Sequence, residues 1–99
     1  MDIRHTLNEI NFVWHAEKAA TNIKSHKGIT FELASEAFFD PFLKVEDAGV
    51  HDGEQREAII GMTVSWRLLY VVYVLRADEI RIISARLATK PERRIYENR

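Results

Sequence analysis

The chain has no cysteine, two prolines, four glycines and no long hydrophobic stretch. The absence of cysteine excludes disulfides and thiolate metal sites, and it favours a reducing, cytoplasmic setting. The longest unbroken apolar run covers residues 68–75, whereas a membrane-spanning helix needs roughly 20 apolar residues. We therefore expect a buried strand there and no membrane association. The N-terminal segment has no apolar stretch behind a basic start, so we do not expect a cleaved secretory signal.

The chain also has no excess of one charge sign, because its 14 Lys and Arg residues nearly balance its 15 Asp and Glu residues, for a formal net charge of −1. A near-neutral chain does not fit a strongly basic, nonspecific nucleic-acid binder. The charges are unevenly distributed, however: residues 1–53 carry five cationic and nine acidic side chains, and residues 54–99 carry nine and six. Eight of the nine cations in the second half are arginine, whose planar guanidinium meets two phosphate or carboxylate oxygens at once. This half of the chain favours an anionic ligand or partner.

The 99 residues, with 46% hydrophobic content, predict a single domain with one core over residues 1–99. The N-terminal part of this domain is mainly helical in its pattern. Alternating apolar residues at 10–14 indicate a short first strand. Residues 15–27 then have the spacing of an amphipathic helix, which Gly28 closes as a left-handed C-cap. Thr30 is a typical N-cap for a second helix, and the Asp40-Pro41 step ends it.

The rest of the chain has the period of strands. Residues 43–45 predict a short edge strand, and the acidic, glycine-containing segment 46–53 predicts a solvent-exposed loop. Three further strands follow, joined by short connections that indicate antiparallel hairpins; they cover roughly residues 55–63, 67–76 and 79–86. The middle one is apolar on both faces, which is typical of a central strand. The sequence therefore predicts an α+β domain whose antiparallel sheet has about four strands.

The C-terminal segment carries a set of arginines. Arg81 and Arg86 lie on the last predicted strand, and they fall on opposite faces if that strand stays regular to its end. Thr89 is then an N-cap, and Glu92 three residues later completes a capping box, so a short helix follows. Guanidinium groups on these two adjacent elements indicate a surface that handles phosphate.

The sequence resembles the BrnT toxins, a family of small toxins with a RelE-like fold from bacterial type II toxin–antitoxin pairs. The resemblance rests on four pieces that occur in the family's order. The first is F-V-W at 12–14 followed by Lys18, Asn22, His26 and Gly28, and the second is F-E-L-A at 31–34 with F-D-P at 39–41. The third is E-Q-R at 54–56 with I-G at 60–61, and the fourth is R-I-I-S-A-R-L-A-T at 81–89 with E-R-R-I-Y at 92–96. The chain departs from the pattern at His15, where the family usually has aspartate, and at Lys27, an extra residue before the glycine.

The resemblance implies an endoribonuclease that cleaves messenger RNA and needs no cofactor. It also implies a small cognate antitoxin of the BrnA type that holds the toxin inactive. That antitoxin usually carries a DNA-binding domain, so the complex represses its own operon and contacts operator DNA only through the antitoxin. A homodimer of the toxin within the complex is a further expectation.

RNA cleavage without a metal needs a base for the 2′-hydroxyl, a cation for the phosphorane charge and an acid for the 5′-oxygen. Glu54 and Arg56 lie two residues apart on one predicted strand, so their side chains share a face and can act on one phosphate. His26 ends the first helix, where an imidazole can give or accept a proton near neutral pH. Which of Glu54 and His26 is the base stays open. With the resemblance, the catalytic candidates are His26, Glu54, Arg56, Arg81 and Arg86. The candidate substrate-binding residues are Lys18, Arg93 and Tyr96.

Other interpretations of these residues stay open. A Glu-x-Arg pair on a strand is often a surface ion pair of small energetic value, and a histidine near a helix end is often a partner of the helix dipole. The chain could be a binding module that grips RNA, DNA or an acidic partner without catalysis, or a dimerisation domain built on the apolar strand 69–74. A metal site is the weaker hypothesis, because the carboxylates within 46–54 lack the alternation of a calcium loop and the four histidines lack zinc spacing.

Overall fold

The structure is a computed structural model that describes residues 1–98 and contains six strands and three α-helices. The strands are β1 (Asp2–Leu7), β2 (Ile10–His15), β3 (Lys44–His51), β4 (Glu54–Met62), β5 (Leu68–Arg76) and β6 (Glu79–Leu87). The helices are α1 (Ala16–Ser25), α2 (Phe31–Glu36), which continues into a 3₁₀ helix at Ala37–Phe39, and α3 (Lys90–Glu97). All strands form one sheet in the order β1-β2-β6-β5-β4-β3. The α+β class is confirmed, and none of the described helices is long and apolar enough to cross a membrane.

The predicted antiparallel sheet of about four strands is matched only in part, because β3, β4, β5 and β6 do pair antiparallel but the whole sheet has six strands and is mixed. Residues 2–7 form an unpredicted strand that pairs with β2 across a turn at Asn8 and Glu9, both with positive φ. β2 in turn pairs parallel with β6, which makes the sheet mixed. The predicted loop 46–53 is also wrong, because most of it belongs to β3. Acidic side chains do not prevent a strand there, since β3 is an edge strand whose ladder partners come from β4.

The helix and turn predictions hold with shorter boundaries. The first helix runs from Ala16 to Ser25 instead of 15–27, with His15 as its N-cap and His26 as its C-cap. The left-handed backbone begins one residue before the predicted Gly28, because Lys27 has φ 53° and Gly28 has φ 78°. The Gly28 N–H donates to the carbonyl of Ile23 at 3.0 Å, as in a Schellman motif. The Thr30 cap of α2 and the Thr89–Glu92 capping box of α3 are both present, and both predicted hairpins are antiparallel.

One face of the sheet packs on α2 and the 3₁₀ helix to form the core. The buried members of this cluster include Phe12, Trp14, Phe31, Ala34, Ala37, Ile59, Leu69, Val71, Tyr73, Ile82 and Ala85. β5 lies between β6 and β4, so the prediction of a central strand is confirmed. Its apolar side chains are mostly buried within this chain. Two-sided apolarity of β5 therefore needs no second copy to explain it.

Gly61 allows β4 to approach the 3₁₀ helix closely. A Cβ at this position would lie 2.5 Å from the carbonyl oxygen of Ala37. We expect Gly61→Ala to lower the free energy of unfolding by about 2–3 kcal/mol, because the backbone must move apart. Gly28→Ala is the matched control, since its Cβ would meet nothing within 4 Å and its left-handed backbone costs only about 1–2 kcal/mol. Urea unfolding of both variants measures the difference, and a larger loss in Gly28→Ala would contradict the close approach.

Candidate functional site

A β-bulge in β6 decides where its two arginines point. The register between β5 and β6 skips Ile83, and one extra residue reverses the side-chain alternation beyond it. Arg81 consequently pairs opposite Val74 and Arg86 opposite Tyr70, two residues of β5 that share a face. The expectation that Arg81 and Arg86 fall on opposite faces is wrong, because the strand is not regular.

Glu54 and Arg56 of β4 lie on the same face as Arg81. Ala58, two residues beyond Arg56, pairs opposite Val72 of β5. Val72 in turn shares its face of β5 with the residue opposite Arg81. Three strands therefore present Glu54, Arg56 and Arg81 on one side of the sheet, away from the core.

These side chains line one depression together with the start of α1 and the β3–β4 turn. Its charged lining consists of four cations, Lys18, Arg56, Arg76 and Arg81, and two carboxylates, Asp52 and Glu54. The imidazoles of His15 and His51 complete the polar lining. Because cations outnumber carboxylates, the depression favours an anionic ligand.

Arg76 holds the Glu54 carboxylate in a two-point contact. Its Nε and Nη2 donate to the two carboxylate oxygens at 2.8 Å each. This hydrogen bonding is the main cause that holds the pKa of Glu54 below its usual range. Desolvation opposes it, and the charges of Arg76, Arg56 and Arg81 each lower the pKa by a smaller amount. Glu54 is therefore an ionised carboxylate at neutral pH.

Arg81 is held by Asp2, a residue of the unpredicted strand β1. Nη1 and Nη2 of Arg81 donate to the two Asp2 oxygens at 3.3 Å and 2.6 Å. Hydrogen bonding to Arg81 is also the main cause that lowers the pKa of Asp2. Arg56 and Lys18 differ from Arg81, because neither has a carboxylate partner within 4.0 Å among residues 1–98. These two cations are free to meet an incoming anion.

The buried Asn22 fastens α1 beside β6. Its Nδ2 donates to the carbonyls of Ala85 and Ile29 at 2.8 Å and 3.0 Å, and its Oδ1 accepts the N–H of Ala85 at 3.0 Å. β2 pairs with β6 only up to Arg81, so Asn22 satisfies backbone groups on a part of the β6 edge that β2 leaves open. Asn22 therefore has a structural role, because it holds α1 against β6. Lys18 lies one helical turn before it, and His26 lies one turn after it.

Three adjoining depressions form one charged groove along α1 and β6. The second depression shares His15 and Lys18 with the first, and it follows α1 past the bulge. The third shares Ser25 and His26 with the second and ends beside Arg86. Six of the eight candidate residues predicted from the sequence therefore line the charged groove: Glu54, Arg56, Arg81, Lys18, His26 and Arg86.

Residues 14–92 match a family described as "Ribonuclease toxin, BrnT, of type II toxin-antitoxin system". The chain belongs to the BrnT family. This matched range includes all six candidate residues that line the charged groove, whereas β1 and most of β2 lie outside the range. Membership assigns the chain to the ribonuclease toxins of type II systems, and it implies an antitoxin as partner. No curated protein matches the chain by sequence.

Arg86 is already engaged in this BrnT family member. Its Nη1 and Nη2 donate to the two oxygens of Glu92 at 2.7 Å and 2.8 Å, and its guanidinium carbon lies 4.3 Å from the ring centre of Tyr70. Glu92 also completes the α3 capping box. Arg86 therefore holds α3 to the sheet at the end of the charged groove.

The structure does not bring Tyr96 or Arg93 into the charged groove. The Tyr96 hydroxyl donates to Asp40 at 2.5 Å, and its ring lines a separate depression with Phe42 and Trp66. Arg93 is exposed on α3. Neither position is predictable from sequence, because both depend on how α3 docks across the sheet.

His15 is a groove residue that sequence reasoning passed over in favour of His26. Its Nδ1 accepts the N–H of Glu17 at 3.3 Å, which holds the ring at the start of α1. His15 lines the depression that contains Glu54 and Arg56, whereas His26 lines only the second and third depressions. The available signal was its place directly after the F-V-W strand, where the family pattern has another ionisable residue.

Proposed function

We propose that this chain is a metal-independent endoribonuclease that cleaves messenger RNA in the cytoplasm on a RelE-like fold. The observation that carries the proposal is the meeting of Glu54, Arg56 and Arg81 on one face of the sheet, in a depression where Arg56 has no carboxylate partner among residues 1–98. An ionised carboxylate beside two guanidinium groups is a suitable set for activating a 2′-hydroxyl next to a bound phosphate. Family membership supports the substrate class.

In the proposed reaction, Glu54 accepts the proton of the 2′-hydroxyl, and the 2′-oxygen attacks the adjacent phosphorus. Arg56 and Arg81 offset the charge that develops on the phosphorane. The bond to the 5′-oxygen breaks, and His15 supplies the proton that this oxygen needs from Nε2, which contacts the N-terminal ammonium at 3.3 Å and must leave it first. The products are a 2′,3′-cyclic phosphate and a 5′-hydroxyl end. Lys18 and His26 bind flanking phosphates along the charged groove.

The proposal includes a regulatory partner. A cognate BrnA-like antitoxin that carries a DNA-binding domain neutralises the toxin, and the complex represses its own operon by binding operator DNA through the antitoxin. A toxin homodimer forms within that complex. Membership in a type II family supports the antitoxin, and the near-neutral charge of the chain supports a toxin that does not bind DNA by itself.

Removing Arg76 tests the role of Glu54 through pH. A base must be ionised, so activity falls as the pH drops through the pKa of Glu54, which Arg76 keeps low. We expect Arg76→Gln to raise this pKa and to move the acidic limb of the kcat/KM profile to higher pH. Arg67→Gln, at an exposed arginine of the β4–β5 turn, is the control. An acidic limb that stays in place in Arg76→Gln would contradict Glu54 as the base.

The alternative is a catalytically inactive module that binds RNA or a protein partner. Induction of the chain in a bacterial host separates the two functions. An enzyme should arrest growth, lose the effect in Glu54→Gln, and be rescued by its cognate antitoxin. A binding module should leave growth normal, or act equally well as wild type and as Glu54→Gln.

A further inference from the structure

The end of the Arg81 guanidinium that a phosphate would approach is occupied by a carboxylate of the chain itself. Nη1 and Nη2 both donate to Asp2, and Nε is buried without a hydrogen-bond partner among residues 1–98. The Arg81 side chain is 19% exposed, so the outer end of its guanidinium is the part that a ligand can reach. In this structure the Asp2 carboxylate occupies that end of the guanidinium.

A carboxylate and a phosphate make the same demand on arginine. Each offers two oxygens to two parallel N–H groups of the guanidinium fork. Asp2 therefore stands where two oxygens of an RNA phosphate would stand. Arg81 cannot present the same pair of N–H groups to both anions at once.

We propose that Asp2 competes with the RNA phosphate for Arg81, so that strand β1 lowers the affinity of the charged groove for its substrate. This inference rests on the proposed function, because it takes RNA as the ligand of the groove. Asp2 is displaced when RNA binds, and Arg81 then joins Arg56 and Lys18 as a third cation facing the phosphate chain.

The Asp2 contact is suited to displacement. The Asp2 side chain is 42% exposed at the start of an edge strand, and ion pairs of this exposure contribute little to stability. β1 stays attached without it, because its backbone pairs with β2 along its length and Arg4 forms a separate ion pair with Glu79. The exchange therefore moves a carboxylate and not the strand.

Asp2→Asn tests the competition, since it keeps the shape of the side chain and removes its charge. The probe is a fluorescent single-stranded RNA oligonucleotide with 2′-O-methyl riboses, which cannot be cleaved through the 2′-oxygen. We expect Asp2→Asn to bind it about three- to fivefold more tightly than wild type in fluorescence anisotropy. The dependence of Kd on salt should steepen at the same time, because one more phosphate is neutralised.

Two controls separate competition from a general effect of charge. Asp78→Asn makes the same charge change at an exposed residue of the β5–β6 turn, and it should alter Kd by no more than about 1.5-fold at physiological salt. In an Arg81→Gln background, Asp2→Asn should give no gain, because the contested site is gone. An equal gain in Asp78→Asn, or a gain that persists without Arg81, would overturn the competition.

The outcome also separates this inference from the proposed function. Wild-type protein that binds the oligonucleotide while Asp2→Asn binds equally or more weakly overturns the competition alone, and weaker binding would make Asp2 a residue that positions Arg81. If neither wild type nor Asp2→Asn binds the oligonucleotide, both the competition and the RNA-binding groove are overturned.

Discussion

Replacing Arg56 with glutamine should lower kcat/KM for RNA cleavage by about 10²- to 10³-fold, the size of effect seen when one preorganised donor to a developing anion is removed. Arg56 lies on the same face as Glu54 and Arg81 and has no carboxylate partner within 4.0 Å among residues 1–98, so its charge is available for the phosphorane. The variant should keep its free energy of unfolding within about 0.5 kcal/mol of wild type, because the substitution breaks no ion pair.

The matched control for this prediction is Arg67→Gln. Arg67 is an exposed arginine in the β4–β5 turn and does not line the charged groove. It changes the net charge by the same amount and should leave kcat/KM nearly unchanged. Equal losses in the two variants would mean that Arg56 acts only through the overall charge of the chain.

Asn22→Ala should lower the free energy of unfolding by about 2–4 kcal/mol, since it leaves buried backbone groups of Ala85 and Ile29 without their partners. The loss is large because one side chain makes three hydrogen bonds, two to β6 and one to the connection between α1 and α2. Cleavage should fall as well, since α1 carries Lys18 and His26 along the groove.

Thr21→Ala is the matched control for the asparagine. Thr21 precedes Asn22 on α1 and is exposed. Its substitution therefore measures the effect of a changed helix propensity in α1, without the loss of buried hydrogen bonds. It should change the free energy of unfolding by less than about 0.5 kcal/mol in chemical denaturation. Similar losses for both variants would contradict the fastening role of Asn22.

Local signals predicted the helices and hairpins of this fold well. The Thr30 cap, the left-handed Gly28 and the Thr89–Glu92 capping box depend on residues within a few positions of one another, and all three are present. The edge strand predicted at residues 43–45 covers only the start of β3, because the acidic composition of the remaining residues resembles a loop and only pairing with β4 makes them a strand. β1 alternates from residue 2 to residue 7, but its Asn8-Glu9 turn lacks the glycine that marks a hairpin.

The candidate site was predictable to the extent that it lies on one strand. Glu54 and Arg56 share a face by their spacing alone, and both line the charged groove. The partners of Glu54 and Arg81 could not be predicted, because Arg76 and Asp2 reach them across the sheet from distant parts of the chain. Whether Arg81 and Arg86 share a face depends on the bulge at Ile83, and no residue pattern in the strand predicts that bulge.

The most direct measurement of the central claim uses purified chain and a 5′-labelled RNA in the presence of EDTA. The reaction is analysed for new ends by mass spectrometry, with Arg56→Gln purified in parallel. We expect internal cuts that leave a 2′,3′-cyclic phosphate and a 5′-hydroxyl, and we expect them to be nearly absent with Arg56→Gln. Intact RNA with the wild-type chain, or equal cutting by wild type and Arg56→Gln, would contradict a metal-independent ribonuclease centred on this groove.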